Sequence, residues 1–168
     1  MSALIPVLSI IGKSGSGKTT LIEKLIPELK AQGLRVATIK HHAHPGFDID
    51  KPGKDTWRHA QAGSDLVIIA APDKIATIEK LEQEKSLDEI LSQIQGVDII
   101  ITEGYKRAGK PSLEIVRLEQ GVSIISSSDQ LRAIATDTTL ELTVPQFDLN
   151  DAPGIAQWIT QVFLKETQ

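Results

Sequence analysis

Gly12-Lys13-Ser14-Gly15-Ser16-Gly17-Lys18-Thr19 decides the fold class. It fills every fixed position of the pattern G-x-x-x-x-G-K-[ST]. The chemistry explains the spacing. Glycines let successive backbone N–H groups curl inward around a phosphate. The N-terminus of the following helix adds partial positive charge. Lys18 is placed to reach the β and γ phosphates, and the Thr19 hydroxyl to ligate Mg²⁺. Residues Gly12, Lys13, Ser14, Gly15, Ser16, Gly17, Lys18, Thr19 and Thr20 are therefore the expected phosphate site.

The flanks agree. Leu4–Ile11 is apolar and β-branched, as a strand entering such a loop should be. Behind the loop, Ile22, Leu25, Ile26 and Leu29 recur at i, i+3, i+4, i+7. That helix contains Pro27, expected to kink it, and ends at Gly33. Leu34–Ile39 reads as a second strand, His41–Gly53 as a long polar loop and Lys54–Ala62 as a short helix. Leu66–Ala71 and Lys74–Lys80, joined by Pro72-Asp73, read as a hairpin. Ser86 and Glu89 form a capping box for a helix with the stripe Leu87, Ile90, Leu91, Ile94. Val97–Thr102 is a near-continuous apolar run, expected of a strand covered on both faces. Short strands are expected at Leu113–Leu118, Val122–Ser126 and Leu131–Thr136. A last helix opens near Asp151 with Ile155, Trp158, Ile159, Val162 and Phe163 as its buried stripe. Alternating β and α elements predict an α/β fold, a mainly parallel sheet with helices on both faces. One domain over residues 1–168 is expected, with the hairpin at about 66–80 as an added element.

Composition narrows the function. The 168 residues carry a formal net charge of −4 and no cysteine. A mildly acidic chain is a poor partner for a nucleic-acid backbone. Without cysteine, thiolate catalysis and thiolate metal sites are excluded. No apolar run approaches the ~20 residues of a membrane span, and the N-terminus lacks the pattern of a signal peptide. A soluble cytoplasmic protein, with no membrane or nucleic-acid partner, is expected.

A Mg²⁺ site needs a second acid. Val97-Asp98-Ile99-Ile100-Ile101-Thr102-Glu103-Gly104 offers two, ~17 Å apart on an extended strand. Ligands of open parallel sheets bind at the carboxyl ends of strands, which selects Glu103 and leaves Asp98 as a solvated strand-entry residue. All four histidines fall between His41 and His59. His41, His42 and His44 could ligate Zn²⁺ or Ni²⁺, or could hydrogen-bond an anionic ligand. Lys40, Lys51, Lys54 and Arg58 make the same region basic, which favours a phosphorylated ligand. The segment Lys106-Arg107…Lys110 is a further basic candidate. Lys13, next to the first glycine, is placed either as a surface lysine or as one that reaches a partner's phosphate.

The sequence resembles the MobB family of molybdopterin-guanine dinucleotide biosynthesis proteins. The resemblance rests on Gly12–Thr20 with Leu21, Lys40-His41-His42, Phe47–Asp55, Arg58–Gly63 and Thr102-Glu103-Gly104-Tyr105-Lys106, spanning most of residues 4–137. It implies a P-loop protein of the MinD and dethiobiotin-synthetase-like class: a GTP- and Mg²⁺-binding, at most slowly GTP-hydrolysing homodimer. Such proteins assist a MobA-type guanylyltransferase that joins GMP to molybdopterin. The resemblance also implies a phosphate contact for Lys40 and an Mg²⁺-associated role for Asp55, with Asp48 and Asp50 as rivals. His41, His42, Lys51, Lys54, Arg58 and Lys106 become candidates for the pterin or another second ligand. The usual guanine motif [NT]-K-x-D is absent. Asp137, after Ala135-Thr136, is the substitute base reader, since a carboxylate can accept from guanine N1–H and N2–H₂. Two other readings stand beside this one: a nickel or zinc metallochaperone GTPase, and an ATP-dependent enzyme of the dethiobiotin synthetase type. The apolar hairpin is expected to pair with a second copy.

Overall fold

The structure is a computed structural model that describes residues 4–44 and 46–167. Its contacts divide the chain into two compact units, residues 1–41 with 94–168, and residues 42–93.

The first unit is built on a six-stranded sheet. Its strands are β1 (Val7–Gly12), β2 (Val36–Lys40), β5 (Ile99–Glu103), β6 (Ser112–Val116), β7 (Leu131–Thr136) and β8 (Gln146–Asp148), in the order β2-β5-β1-β6-β7-β8. Every neighbouring pair is parallel. β1 and β5 lie inside the sheet, so their side chains are covered on both faces, and Leu8, Ile10, Ile99, Ile100 and Ile101 are buried accordingly. Helix α1 (Lys18–Ala31) runs unbroken through Pro27 and buries Leu21, Ile22, Leu25 and Leu29. Each such side chain contributes roughly 1.5–3 kcal/mol of burial. The same cluster receives Ile155, Ile159 and Phe163 from the C-terminal helix. A smaller cluster gathers Val116, Leu131 and Ile134.

The C-terminal helix begins as α4 (Ala152–Trp158), where the Asp151 side chain accepts from Gly154 N at 2.9 Å and Pro occupies the first turn. A π turn then spans Ile159–Phe163 before the last turn α5 (Leu164–Glu166). The wider turn advances the helical phase. Val162, expected in the buried stripe, is therefore exposed, and Leu164 takes a place against the core.

One strand expectation needs correction, and one strand was not expected. Val122–Ser126 is not a strand. Glu114, buried within β6, accepts from Ile125 N at 2.7 Å, Ser126 N at 2.8 Å and Ser126 Oγ at 2.7 Å. The carboxylate thus takes the N–H groups that a ladder would have used, each charge-assisted bond being worth about 1.5–3 kcal/mol. In place of that strand the sheet ends with β8, whose register sets Ile134 against Gln146 and Thr136 against Asp148.

The second unit holds helix α2 (Asp55–Gln61), the antiparallel hairpin β3 (Leu66–Ala71) and β4 (Lys74–Glu79), and helix α3 (Leu87–Leu91). The hairpin register runs from Leu66↔Glu79 to Ala71↔Lys74, closing at Pro72-Asp73. The capping box at Ser86 and Glu89 is formed in both directions. α3 stops before Ile94, so only part of the expected stripe lies on it.

Candidate functional site

β1 delivers the chain to the phosphate loop, and α1 leaves it at Lys18. Gly17 caps α1 at φ 99°, in the left-handed region, and a Cβ there would lie 3.3 Å from Arg117 Nη2. Gly12 is required for space: a Cβ would meet Ser16 Oγ at 2.7 Å and the carbonyl of Ile115 at 2.8 Å. Lys18 arches back over the loop, donating to Lys13 O at 2.8 Å and Gly12 O at 3.3 Å. Its pKa is lowered, first by partial burial and then by the charges of Lys106 and Lys40, against the opposing pull of Glu103. Three lysines facing one carboxylate make a site with an excess of positive charge, which an anion would relieve.

Parallel register brings the second acid to the loop. Ile10 on β1 and Lys40 on β2 both stand opposite Glu103 on β5. Thr19 Oγ1 donates to Glu103 Oε1 at 2.9 Å, and Lys40 Nζ pairs with the same oxygen at 3.1 Å. The hydroxyl and the carboxylate expected at the metal are thus in direct contact. The backbone turns sharply just after Glu103: Gly104 has φ 92° and Tyr105 φ 54°. A non-glycine residue in that region marks a constrained site. The Tyr105 ring lies 4.8 Å from that of His41. Asp98, at the opposite end of β5, is held down to about 2 by hydrogen bonds from the Arg35 side chain and backbone. It is an ion-pair partner rather than a merely solvated residue.

A brace on the loop was not foreseen from the sequence. After β6 the chain makes a 3-10 turn, Leu118–Gln120. Arg117 Nε donates to Ser16 O at 2.8 Å, and Gln120 Nε2 to Ser14 O at 3.1 Å. Lys13 Nζ donates back to Gln120 O, and to Gly121 O at 3.4 Å. Lys13 is therefore engaged within its own chain here. Asp137, just past β7, accepts from Leu118 N at 2.8 Å through Oδ1 and so anchors the same turn. The only sequence signal for Arg117 was its place at the carboxyl end of a strand.

The remaining candidates lie in the second unit. Lys51, Lys54 and Asp55 line an open cleft of about 410 Å³ with Ile49, Asp50, Thr56 and Ile69. Arg58 lies on α2 but outside that lining. His42 has its ring 6.1 Å from His44 and 6.0 Å from Phe47. Among the described residues no three His, Asp or Glu side chains gather as a metal-holding group, and no helix is long and apolar enough to cross a membrane.

Residues 7–137 match the family model MobB, described as molybdopterin guanine dinucleotide synthesis protein B. Over 161 residues the chain is 40% identical to the molybdopterin-guanine dinucleotide biosynthesis adapter protein of Haemophilus influenzae, covering 95% of this chain and 90% of that one. The Escherichia coli adapter protein of the same name is 34% identical over 169 residues, covering 97% and 96%. A crystal structure of molybdopterin-guanine biosynthesis protein B superposes with a TM-score of 0.73 at 32% identity, covering 93% of this chain and 99% of that chain.

Proposed function

The chain belongs to the MobB family, and from that premise we propose that it is an accessory protein of molybdopterin guanine dinucleotide biosynthesis that binds Mg²⁺·GTP and assists a MobA-type guanylyltransferase. The observation that carries the nucleotide reading is the meeting of Lys18, Thr19, Lys40 and Glu103 at one end of the parallel sheet. The donor set fits the group it would hold. Lys18 and Lys40 supply charge for phosphates, and the Thr19 hydroxyl with the Glu103 carboxylate supplies hard oxygen ligands for Mg²⁺. Thr19 and Glu103 are the Mg²⁺ ligands proposed from the first unit, and Asp55, in the second unit, keeps the Mg²⁺-associated role that the family resemblance implies.

Hydrolysis in this reading is slow and serves as a switch or delivery step. Glu103 is already occupied by Thr19 and Lys40, which suits a metal-side role better than that of a base. Base choice is proposed to run through Asp137 as the acceptor for guanine N1–H and N2–H₂, its Oδ1 also anchoring Leu118 N. The cleft of Lys51 and Lys54 supports a phosphate-bearing pterin as second ligand, between its ammonium groups and the apolar Ile49 and Ile69. The working form is proposed to be a cytoplasmic homodimer.

Titration of the protein with GTP, ATP and GDP, with and without Mg²⁺, tests the reading. GTP with Mg²⁺ should bind most tightly, and Asp137→Asn should narrow the preference over ATP. Equal affinity for ATP would sink the base assignment and the preference for GTP with it. For the metal, Glu103→Gln should cut Mg²⁺-dependent hydrolysis far more than Asp98→Asn, because Asp98 is occupied by Arg35 at the other end of β5. Equal effects in a phosphate-release assay would remove Glu103 from the metal.

A further inference from the structure

The phosphate loop accounts for the phosphates of a nucleotide but not for its nucleoside, which must extend to one flank or the other. On the β5 flank stands the charged group of Thr19, Glu103 and Lys40. On the opposite flank a small cleft opens directly beside the loop, its lining including Ser16, Thr20, Arg117, Ala135, Leu149 and Asn150. Ala135 and Leu149 are apolar members of its lining, and its volume of about 60 Å³ is room for one edge of a base rather than the whole ring. The Ser16 hydroxyl is buried against the loop without a hydrogen-bond partner.

Arg117 in that lining already donates through Nε to Ser16 O, and Asn150 offers an amide for base reading. The β7–β8 register places Thr136 opposite Asp148, so Asp137 and Asn150 stand just beyond the carboxyl ends of two adjacent parallel strands, where ligands of open sheets bind. The backbone of Asn150 is fixed by its N–H, which donates to Asp148 Oδ1 at 2.8 Å. Its amide is oriented by Lys24, whose Nζ donates to Asn150 Oδ1 at 3.0 Å. An ammonium group can only donate. It therefore selects the oxygen of the amide and leaves the NH₂ as the group that can donate to a ligand. A donor in that position matches the 6-oxo group of guanine. Against adenine it would meet the 6-amino group, donor against donor.

We propose that Asn150, held by Lys24, reads the 6-oxo group of the purine in this cleft. This inference rests on the GTP reading above and adds its second half: Asp137 accepts from the N1 and N2 side of the base, and Asn150 donates to O6. Two residues on neighbouring strand ends thus divide the work of the missing [NT]-K-x-D motif.

Competition titrations of the full chain with GTP, inosine triphosphate and ATP test it, since inosine triphosphate keeps the 6-oxo group and lacks the 2-amino group. Asn150→Ala should weaken GTP and inosine triphosphate by the same factor, about tenfold for one lost hydrogen bond to the base, and should strengthen ATP binding by removing the opposed donor. Asn150→Asp, presenting acceptors instead, should shift preference toward ATP. If Asn150→Ala weakens all three nucleotides alike, Asn150 only shapes the cleft and the proposal is wrong. If the GTP-over-ATP ratio of the unmutated chain survives in both variants, Asn150 does not read the base, while the GTP reading stands. If the unmutated chain shows no affinity for GTP, that reading falls and this inference falls with it.

Discussion

Replacing Lys18 by alanine should weaken GTP binding at least about tenfold, ~1.4 kcal/mol, while the circular dichroism spectrum stays that of the native fold. The ammonium group arches over the loop onto the carbonyls of Gly12 and Lys13, positions that a bound phosphate would turn to its own advantage by offering charged oxygens instead. The side chain is only half-buried and lies outside both apolar clusters, so its truncation opens no core cavity. The pH dependence has a definite sign. Burial and the charges of Lys106 and Lys40 lower the pKa of Lys18 in the free protein. A bound polyanion raises it. Affinity is then fully present below the free-state pKa and declines as pH rises through the bound-state pKa. Calorimetric titration of the variant and of the unmutated chain, at neutral and at alkaline pH, reads both effects. An alanine variant that binds GTP as tightly as the unmutated chain would end the phosphate-loop assignment.

Some of this was legible because the physics is local. The phosphate loop depends on glycines at fixed offsets, and those offsets survive in any context. β7 is found at Leu131–Thr136 as read, since an apolar run between polar turns has few other ways to be buried. The Glu103 assignment followed from strand direction alone, and the structure sets Thr19 and Lys40 against that carboxylate. What was not legible depends on partners distant in sequence. Val122–Ser126 has strand composition, but its N–H groups are taken by Glu114. A glutamate in the middle of an apolar strand gives no hint of what it will accept. β8 is three residues long and its ends are polar, so it becomes a strand only because β7 offers an edge. Arg117 and Gln120 brace Ser16 and Ser14 from more than a hundred residues away, a separation that no window along the sequence spans. Val162 failed for a different reason. A 3.6-residue period cannot anticipate a π turn, which shifts every later position around the helix.

Charged substitutions at Ile68 and Ile75 should convert a dimer into folded monomers of 18.3 kDa, the largest change in assembly expected of any surface variant. The two-stranded sheet of β3 and β4 stands alone, with no third strand on either edge among the described residues. A ribbon of two strands is at best marginally stable in water. This one is also unusually apolar. Leu66, Ile68, Ile69, Ile75 and Ile78 are all exposed, Ile75 at 68%. Such a surface invites association unless something covers it. A second copy related by a two-fold axis covers it most simply, since the same patch then serves both sides. Ile68 and Ile75 lie on opposite strands, paired with Thr77 and Ala70 respectively, which puts both side chains on one face of the ribbon, so a glutamate at each charges that face. Neither side chain is in the buried set, and removing them leaves both apolar clusters intact. Sedimentation at micromolar concentration should give a species of about twice the chain mass for the unmutated protein, and half of that for the doubly charged variant with an unchanged unfolding transition. A single-chain mass for the unmutated protein would reject the dimer. A dimer that persists in the doubly charged variant would place its interface elsewhere than on that face of the hairpin.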